Sequence, residues 1–499
     1  MSARRHYRFG LLEQAGALGP LRLGQAVVLA VGAALGLAAL YAERSWLGMG
    51  LALTVLGAAA ATALISIEGR TAEQWAPLAA RWALRGRAER RGYRSAAPMA
   101  GARLGAGGEA QNQLSLPPEL AGLRLLEAPY GSERVGVIWD RAAGTYTAAL
   151  AVRAGAFSLL GGAEQERKLD GWGAVIASLA RDGSPVARLQ WIERTLPAPG
   201  DELAGYLQAE RDRAVPLDCG LVASYIELVE SAAPSTQEHE ILLALQVDER
   251  RGARELRRLG GGPQGACELL LREAEGLAER LEIAEVSVAG LLRPRRLAEA
   301  IRDAFDPYGR QGRGRSGLGE AGREGVEPAL MGPVAELEGW STYRSDSAIH
   351  ATYWVSAWPR TDVGAAFLTP LLMQTNVLRT VSVTIEPVPY RQAMRQAEAA
   401  RTAEVAEEIQ RQKQGFLTTA RVRRRGEAAA RREEELADGH AALRFAGYVT
   451  VSARGEAELE RIATEVEHSA ALARLELARL YGEQRSAFCF GLPLCRGLR

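Results

Sequence analysis

Residues Gly276–Gly290 read GLAERLEIAEVSVAG, and Ala471–Gly482 read ALARLELARLYG. Both record one event. The last turns of a charged amphipathic helix run into a short strand in which apolar and polar residues take turns. Ile283, Val286 and Val288 carry the apolar side of the first strand. Two copies of one junction, far apart in a chain, imply an internal repeat longer than the usual solenoid period.

The sequence upstream of each junction agrees. Before the first, RVGVIWD and TYTAALAVRAG read as strands joined by a turn at Ala143-Gly144. A helix follows over 164–181, with Leu169, Trp172, Ile176 and Leu179 at helical spacing. PVARLQWIERTL alternates as a strand does, and helices are expected over 199–213 and 219–232. HEILLALQVDE has the long apolar run of a central strand, and 263–281 returns to helix. Before the second junction, HATYWVSAWP is a strand and 361–376 a helix. TVSVTIEPV is a strand with Val381, Val383 and Ile385 on one face. Two charged helices follow, at about 390–413 and 424–440, then the strand LRFAGYVTVSA and a helix over 455–472. Each half therefore reads β-α-β, a helical insert, then β-α-β.

This order predicts an α+β fold built from two ferredoxin-like (split βαβ) units. They cover 123–305 and 333–499, joined by the Gly/Arg-rich linker 306–332. The insert at 390–440 is dense in alanine and mixed charge. Its composition suits a solvated arm laced by i,i+4 ion pairs, and equally a lever that docks on a partner.

A helical hairpin stands in front of these units. Spans of about 25–42 and 46–67 carry no charged side chain, and only Glu43, Arg44 and Ser45 separate them. Each is near the length that crosses about 30 Å of hydrocarbon. Tyr41 and Trp46 fall where interfacial aromatics belong. Gly32 and Gly36 form a G-x-x-x-G suited to close helix packing. Arginines cluster on both sides: Arg4, Arg5, Arg8 and Arg22 before, Arg70 through Arg94 after. The positive-inside rule then puts both ends in the cytoplasm of a multi-pass protein of the cell membrane. Residues 71–122 form a basic flank and linker. Trp75 and Trp82 leave two readings of 71–94, a plain positive flank or a helix lying on anionic lipid.

Composition excludes several classes. A net charge of +1 argues against general nucleic-acid binding, and a 47% hydrophobic content against disorder. Four cysteines without a C-x-x-C pair read as ordinary thiols. No G-K-[S/T] follows the glycine-rich stretches, no H-E-x-x-H occurs, and the five histidines are scattered. His239 reads as a structural residue. The expectation is no enzyme, no metal and no cofactor.

The chain does resemble known machinery. YRFGLLEQAGALGPLRLGQAVVLAVGAALG is similar to the PrgI-type membrane subunit of type IV conjugation machines. HATYWVSAWPRTDVGAAFLTPLL, RFAGYVTVSARGEAELERIATEVE and YGEQRSAFCFGLPL resemble the N-terminal domain of conjugation ATPases. In those enzymes a Q-x-x-A-F-x-x-x-L-P-type segment precedes the motor, and Gln484, Ala487, Phe488, Leu492 and Pro493 match it here. The resemblance is to an actinobacterial conjugal-transfer membrane protein, with the hairpin fused to the ATPase's N-terminal domain and no Walker motif. It implies a non-catalytic scaffold of a type IV-like apparatus that couples a separate motor ATPase to the membrane channel. Its partners would be that conjugation-type ATPase, other channel subunits and the lipid bilayer. A ring-forming motor makes a homo-oligomer plausible. The five matched residues, the tail over 488–499 and the 390–440 arm are the expected partner contacts. A type VII secretion membrane subunit, with two N-terminal spans and a cytoplasmic domain, is the alternative.

Overall fold

The computed structural model describes residues 23–42, 45–67, 70–84, 92–95, 116–153, 155, 157, 160–197, 215, 216, 219–232, 237–309, 325–374, 377–413 and 420–498. The segment before residue 23, the helix expected at 199–213 and most of the 306–332 linker lie outside them.

Two apolar helices come first, α1 (Leu23–Ala42) and α2 (Trp46–Leu64), each of a length and composition that can cross a membrane. At 1.5 Å per residue each is about 30 Å long. A small ladder, β1 (Ser66–Ile67) with β2 (Arg70–Thr71), leads into α3 (Ala72–Leu84). β3 (Tyr93–Arg94) then joins the main sheet.

The first half runs β4 (Leu123–Tyr130), β5 (Glu133–Asp140), β6 (Thr145–Arg153), α4 (Gly162–Leu179), β7 (Val186–Pro197), α5 (Gly220–Ala232), β8 (Gln237–Asp248), α6 (Ala253–Arg258), α7 (Gly262–Ile283), β9 (Ser287–Leu291) and α8 (Pro294–Phe305). The second runs β10 (Ala335–Glu338), β11 (Tyr343–Ser345), β12 (Ala348–Ala357), α9 (Thr369–Leu372), β13 (Leu378–Pro387), α10 (Tyr390–Lys413), α11 (Ala420–Ala437), β14 (Leu443–Ala453), α12 (Glu456–Leu472), β15 (Glu476–Arg479) and α13 (Gln484–Phe488).

Among the described residues, β3 to β15 make one sheet of 13 strands, and every pairing in it is antiparallel. Within the first half the spatial order is β7-β8-β6-β9, and within the second β13-β14-β12-β15. Counting each set of four along the chain, both orders are second, third, first, fourth. The repeat extends further. On the edge of β6 that holds β9, the β4–β5 hairpin also pairs, and on the edge of β12 that holds β15, so does the β10–β11 hairpin. The two halves meet where β7 pairs with β13, from Leu189↔Ile385 to Arg194↔Thr380. The α+β character and the apolar pair are therefore as expected, while the halves share one continuous sheet.

One face of the sheet packs on α4 and α7 in the first half and on α12 in the second. The other face packs on α8 and the C-terminal segment. Two expectations need correction. The helix expected over 361–376 shrinks to Thr369–Leu372. Gly364 and Pro370 fit this: proline has no N–H to donate, so it suits the first turn of a helix and stops the helix extending upstream. Of the edge hairpins, the sequence reading gives β5 but not β4, β10 or β11. In the first, the signal was the turn Tyr130-Gly131-Ser132-Glu133, whose Gly131 takes φ +59°.

Candidate functional site

The site begins at the two apolar helices. Ser45 starts α2, its Oγ accepting the Gly48 N–H at 3.4 Å. Gly32 and Gly36 lie where α1 meets α2. A Cβ on Gly32 would stand 2.3 Å from the Ala59 methyl, so only glycine lets the helices come this close. The remaining apolar surface of the pair is mostly uncovered, and Tyr41 and Trp46 are 80% and 86% exposed beside the turn.

The segment after the second span docks on protein. The Trp75 ring lies 6.0 Å from Trp340 and 5.6 Å from Tyr481, and Trp82 lies 5.5 Å from Trp340. Trp340 sits in the tip between β10 and β11, and Tyr481 follows β15. Gly482 takes φ +71°, donates its N–H to the Trp340 carbonyl at 2.7 Å, and leaves no room for a Cβ under the indole. Arg70 lies over Trp75 and reaches Glu483 at 3.9 Å. The tryptophans that could have met lipid thus tie the hairpin to the second half.

The expected partner contacts lie inside the fold. Gln484, Ala487 and Leu492 are 0% exposed, Phe488 is 4% exposed, and Pro493 is buried. Gln484 serves β12. Its Oε1 accepts the Thr352 N–H at 2.8 Å, and its Nε2 donates to the Thr352 and Leu480 carbonyls. Thr352 lies between the stretches of β12 that pair with β11 and β15, so one side-chain amide fills a gap in the ladder. Phe488 lies 5.0 Å from Phe305, 5.0 Å from Tyr343 and 4.6 Å from His350, which joins α8 of the first half to the second.

Beyond Phe488 the chain crosses the central strands as a strap. Gln190 donates to the Phe490 carbonyl at 2.8 Å and accepts the Cys495 N–H at 2.7 Å. Ser382, Gln246, Arg188 and Thr384 donate to the carbonyls of Phe490, Leu494, Cys495 and Arg496. The Arg496 side chain reaches Asp140 at 2.7 Å. Polar side chains on buried strands are costly unless bonded, and the strap supplies their partners. In this fold the tail's contact surface is the chain's own sheet.

Arg485 anchors the start of that strap. It lies 2.9 Å from Glu336, 3.8 Å from Glu119 and 4.0 Å from Glu338. Burial pushes the Glu336 carboxyl up, against the Tyr343 hydroxyl that donates to it and the Arg485 charge. Burial and then the Glu336 charge hold the Tyr343 hydroxyl far above its usual range. His350 bonds Ser345 at 2.9 Å and Ser452 at 2.8 Å, and burial pulls its imidazole down to about 3. His239 lies 2.9 Å from Glu193. Arg485 pairs with its carboxylates, while His350 is held by serines and His239 by Glu193.

With this geometry in hand, the chain can be set beside known proteins. The family described as "Putative type VII ESX secretion system translocon, EccE" matches residues 235–355. That is about a quarter of the chain, from β8 through most of β12. No curated protein matches it. The match and the two apolar helices support a secretion-system membrane protein. The match falls on the type VII side of the two readings, and the type IV, PrgI-like reading is not shown.

Proposed function

We propose that this chain is a non-catalytic membrane subunit of a type VII-class secretion translocon. The observation that carries the proposal is the match over residues 235–355. It spans the handover between halves: β8, α7, β9 and α8 of the first, then β10 to β12 of the second. The hairpin anchors the chain, with both termini in the cytoplasm as the flanking arginines indicate. The α3 tryptophans hold the sheet to the anchor. Each set of four strands is read as a ferredoxin-like unit, a reading supported by the repeated strand order. Together they form a cytoplasmic platform whose partners are channel subunits in the same bilayer. Fold alone does not fix this role.

The test is affinity purification of the tagged full-length chain from native membranes in mild detergent, followed by mass spectrometry. The expected result is recovery of other type VII membrane subunits, lost when 23–64 is replaced by an unrelated two-span hairpin that restores membrane insertion. Recovery of a conjugation ATPase without type VII subunits would overturn the proposal.

A further inference from the structure

The rim of the sheet beyond the strap carries an unbalanced charge. Glu386, near the end of β13, faces Arg444 directly across β14. One step past the Ile385–Leu189 pair it also faces Arg188 of β7. Residues directly opposite on neighbouring strands share a face. Arg251, from the turn after β8, completes the group. Glu386 accepts from Arg251 Nη2 at 2.8 Å and from Arg444 Nη2 at 2.6 Å, while Arg188 Nε lies 3.8 Å away. Among these contacting groups, three guanidinium charges meet one carboxylate.

The group is built rather than scattered. Arg188 is held by its bond to the Cys495 carbonyl at 3.0 Å, and Arg251 by the Val186 carbonyl at 3.4 Å. The Arg251 backbone is fixed as well, since Asp248 Oδ1 accepts its N–H at 2.9 Å. The side chains remain open to solvent: Arg188 is 28%, Arg251 34% and Arg444 64% exposed. Guanidinium groups present forked donors that match phosphate oxygens, and a preset cluster avoids most of the ordering cost of binding.

We propose that Arg188, Arg251 and Arg444 form a binding site for a phosphate monoester, with Glu386 holding the arginines in place. Three strands and one turn, from both halves, contribute, so the ligand bridges the β7–β13 seam. The inference does not depend on the secretion reading. Either a soluble phosphate or the headgroup of an anionic lipid could supply the group.

The test is calorimetric titration of the full-length chain in neutral detergent with inorganic phosphate and, separately, with dioctanoyl phosphatidic acid. The expected result is saturable binding that Arg444→Gln weakens by roughly tenfold, as loss of one charge-assisted contact implies. Arg444 is the most exposed of the three, so this variant is expected to fold, and an unchanged melting curve checks it. Arg251→Gln should weaken binding similarly. Glu386→Gln keeps an oxygen that can accept from the arginines but removes the opposing charge, so it should tighten binding, an effect that a purely structural role for the cluster would not produce. Binding of both probes assigns the site to soluble phosphate, and binding of the lipid alone to a headgroup. No saturable binding of either probe, or binding unchanged in Arg251→Gln and Arg444→Gln, would overturn the proposal.

Discussion

The two halves of the sheet solve one problem in two ways. After its fourth strand, each sends the chain back across the same face. In the first half this is α8, a regular helix that buries Leu297, Ile301 and Phe305 at i, i+4 and i+8. In the second half it is five residues of helix, a short 3-10 turn and the strap to Leu498. A helix satisfies its own backbone and asks only for an apolar floor. A strap cannot, so the strands beneath it carry Gln190, Gln246, Ser382 and Thr384. The same contrast recurs one strand over. Thr147 of β6 faces Gln246, a pair that does not titrate, whereas His350 of β12 faces Ser452.

The largest effect that would sharpen this contrast is at the ring joining the two covers. Phe488→Ala should cost about 3–5 kcal/mol, the usual range for an emptied aromatic core site. Denaturant unfolding measures it. A cost below about 1 kcal/mol would show that the strap contributes little to the joint.

Acid should act next, and through the second half. The His350 imidazole falls from 6.5 to about 3 on folding. Below pH 6.5 the unfolded chain takes a proton that the folded chain refuses, so stability falls as pH drops from 6.5 towards 3. At 1.36 kcal/mol per pH unit this term is about 2 kcal/mol at pH 5. The slope of stability against pH, compared with that of His350→Gln, isolates it from any constant cost of the substitution. Equal slopes between pH 6.5 and 5 would assign the acid response elsewhere.

Gln484→Ala should cost about 1–3 kcal/mol, because it strips partners from the buried Thr352 backbone. Hydrogen exchange at the Thr352 amide gives a local reading, with faster exchange expected. The smallest effect is expected on the inserts. Val405→Asp, on the exposed side of α10, should shift stability by less than about 0.5 kcal/mol. A larger loss would mean that the arm is packed against something in solution.

Much of the repeat is legible in the sequence. β6, β7, β8, β13 and β14 follow from alternation or long apolar runs, and α7, α10 and α12 lie within a few residues of their expected bounds. α8 escaped notice although Pro294 opens it and Leu297, Ile301 and Phe305 mark its face. The β10–β11 hairpin escaped because strands of four and three residues are too short for periodicity to register. Gln484, Ala487, Phe488, Leu492 and Pro493 were legible as a pattern. Their destination was not, since an apolar segment at a chain end reads the same whether it meets a partner or its own sheet.

The sequence by itself determined the apolar hairpin, the order of the longer strands and helices, and the repeat, because these depend on local length, spacing and charge. Tertiary structure alone decided that the halves share one sheet through β7 and β13, that Trp75 and Trp82 pack on Trp340, and that Arg188, Arg251 and Arg444 gather at Glu386. Those contacts join residues far apart along the chain. Their partners are chosen by register and by the need to satisfy buried polar groups, and neither is written in any single stretch.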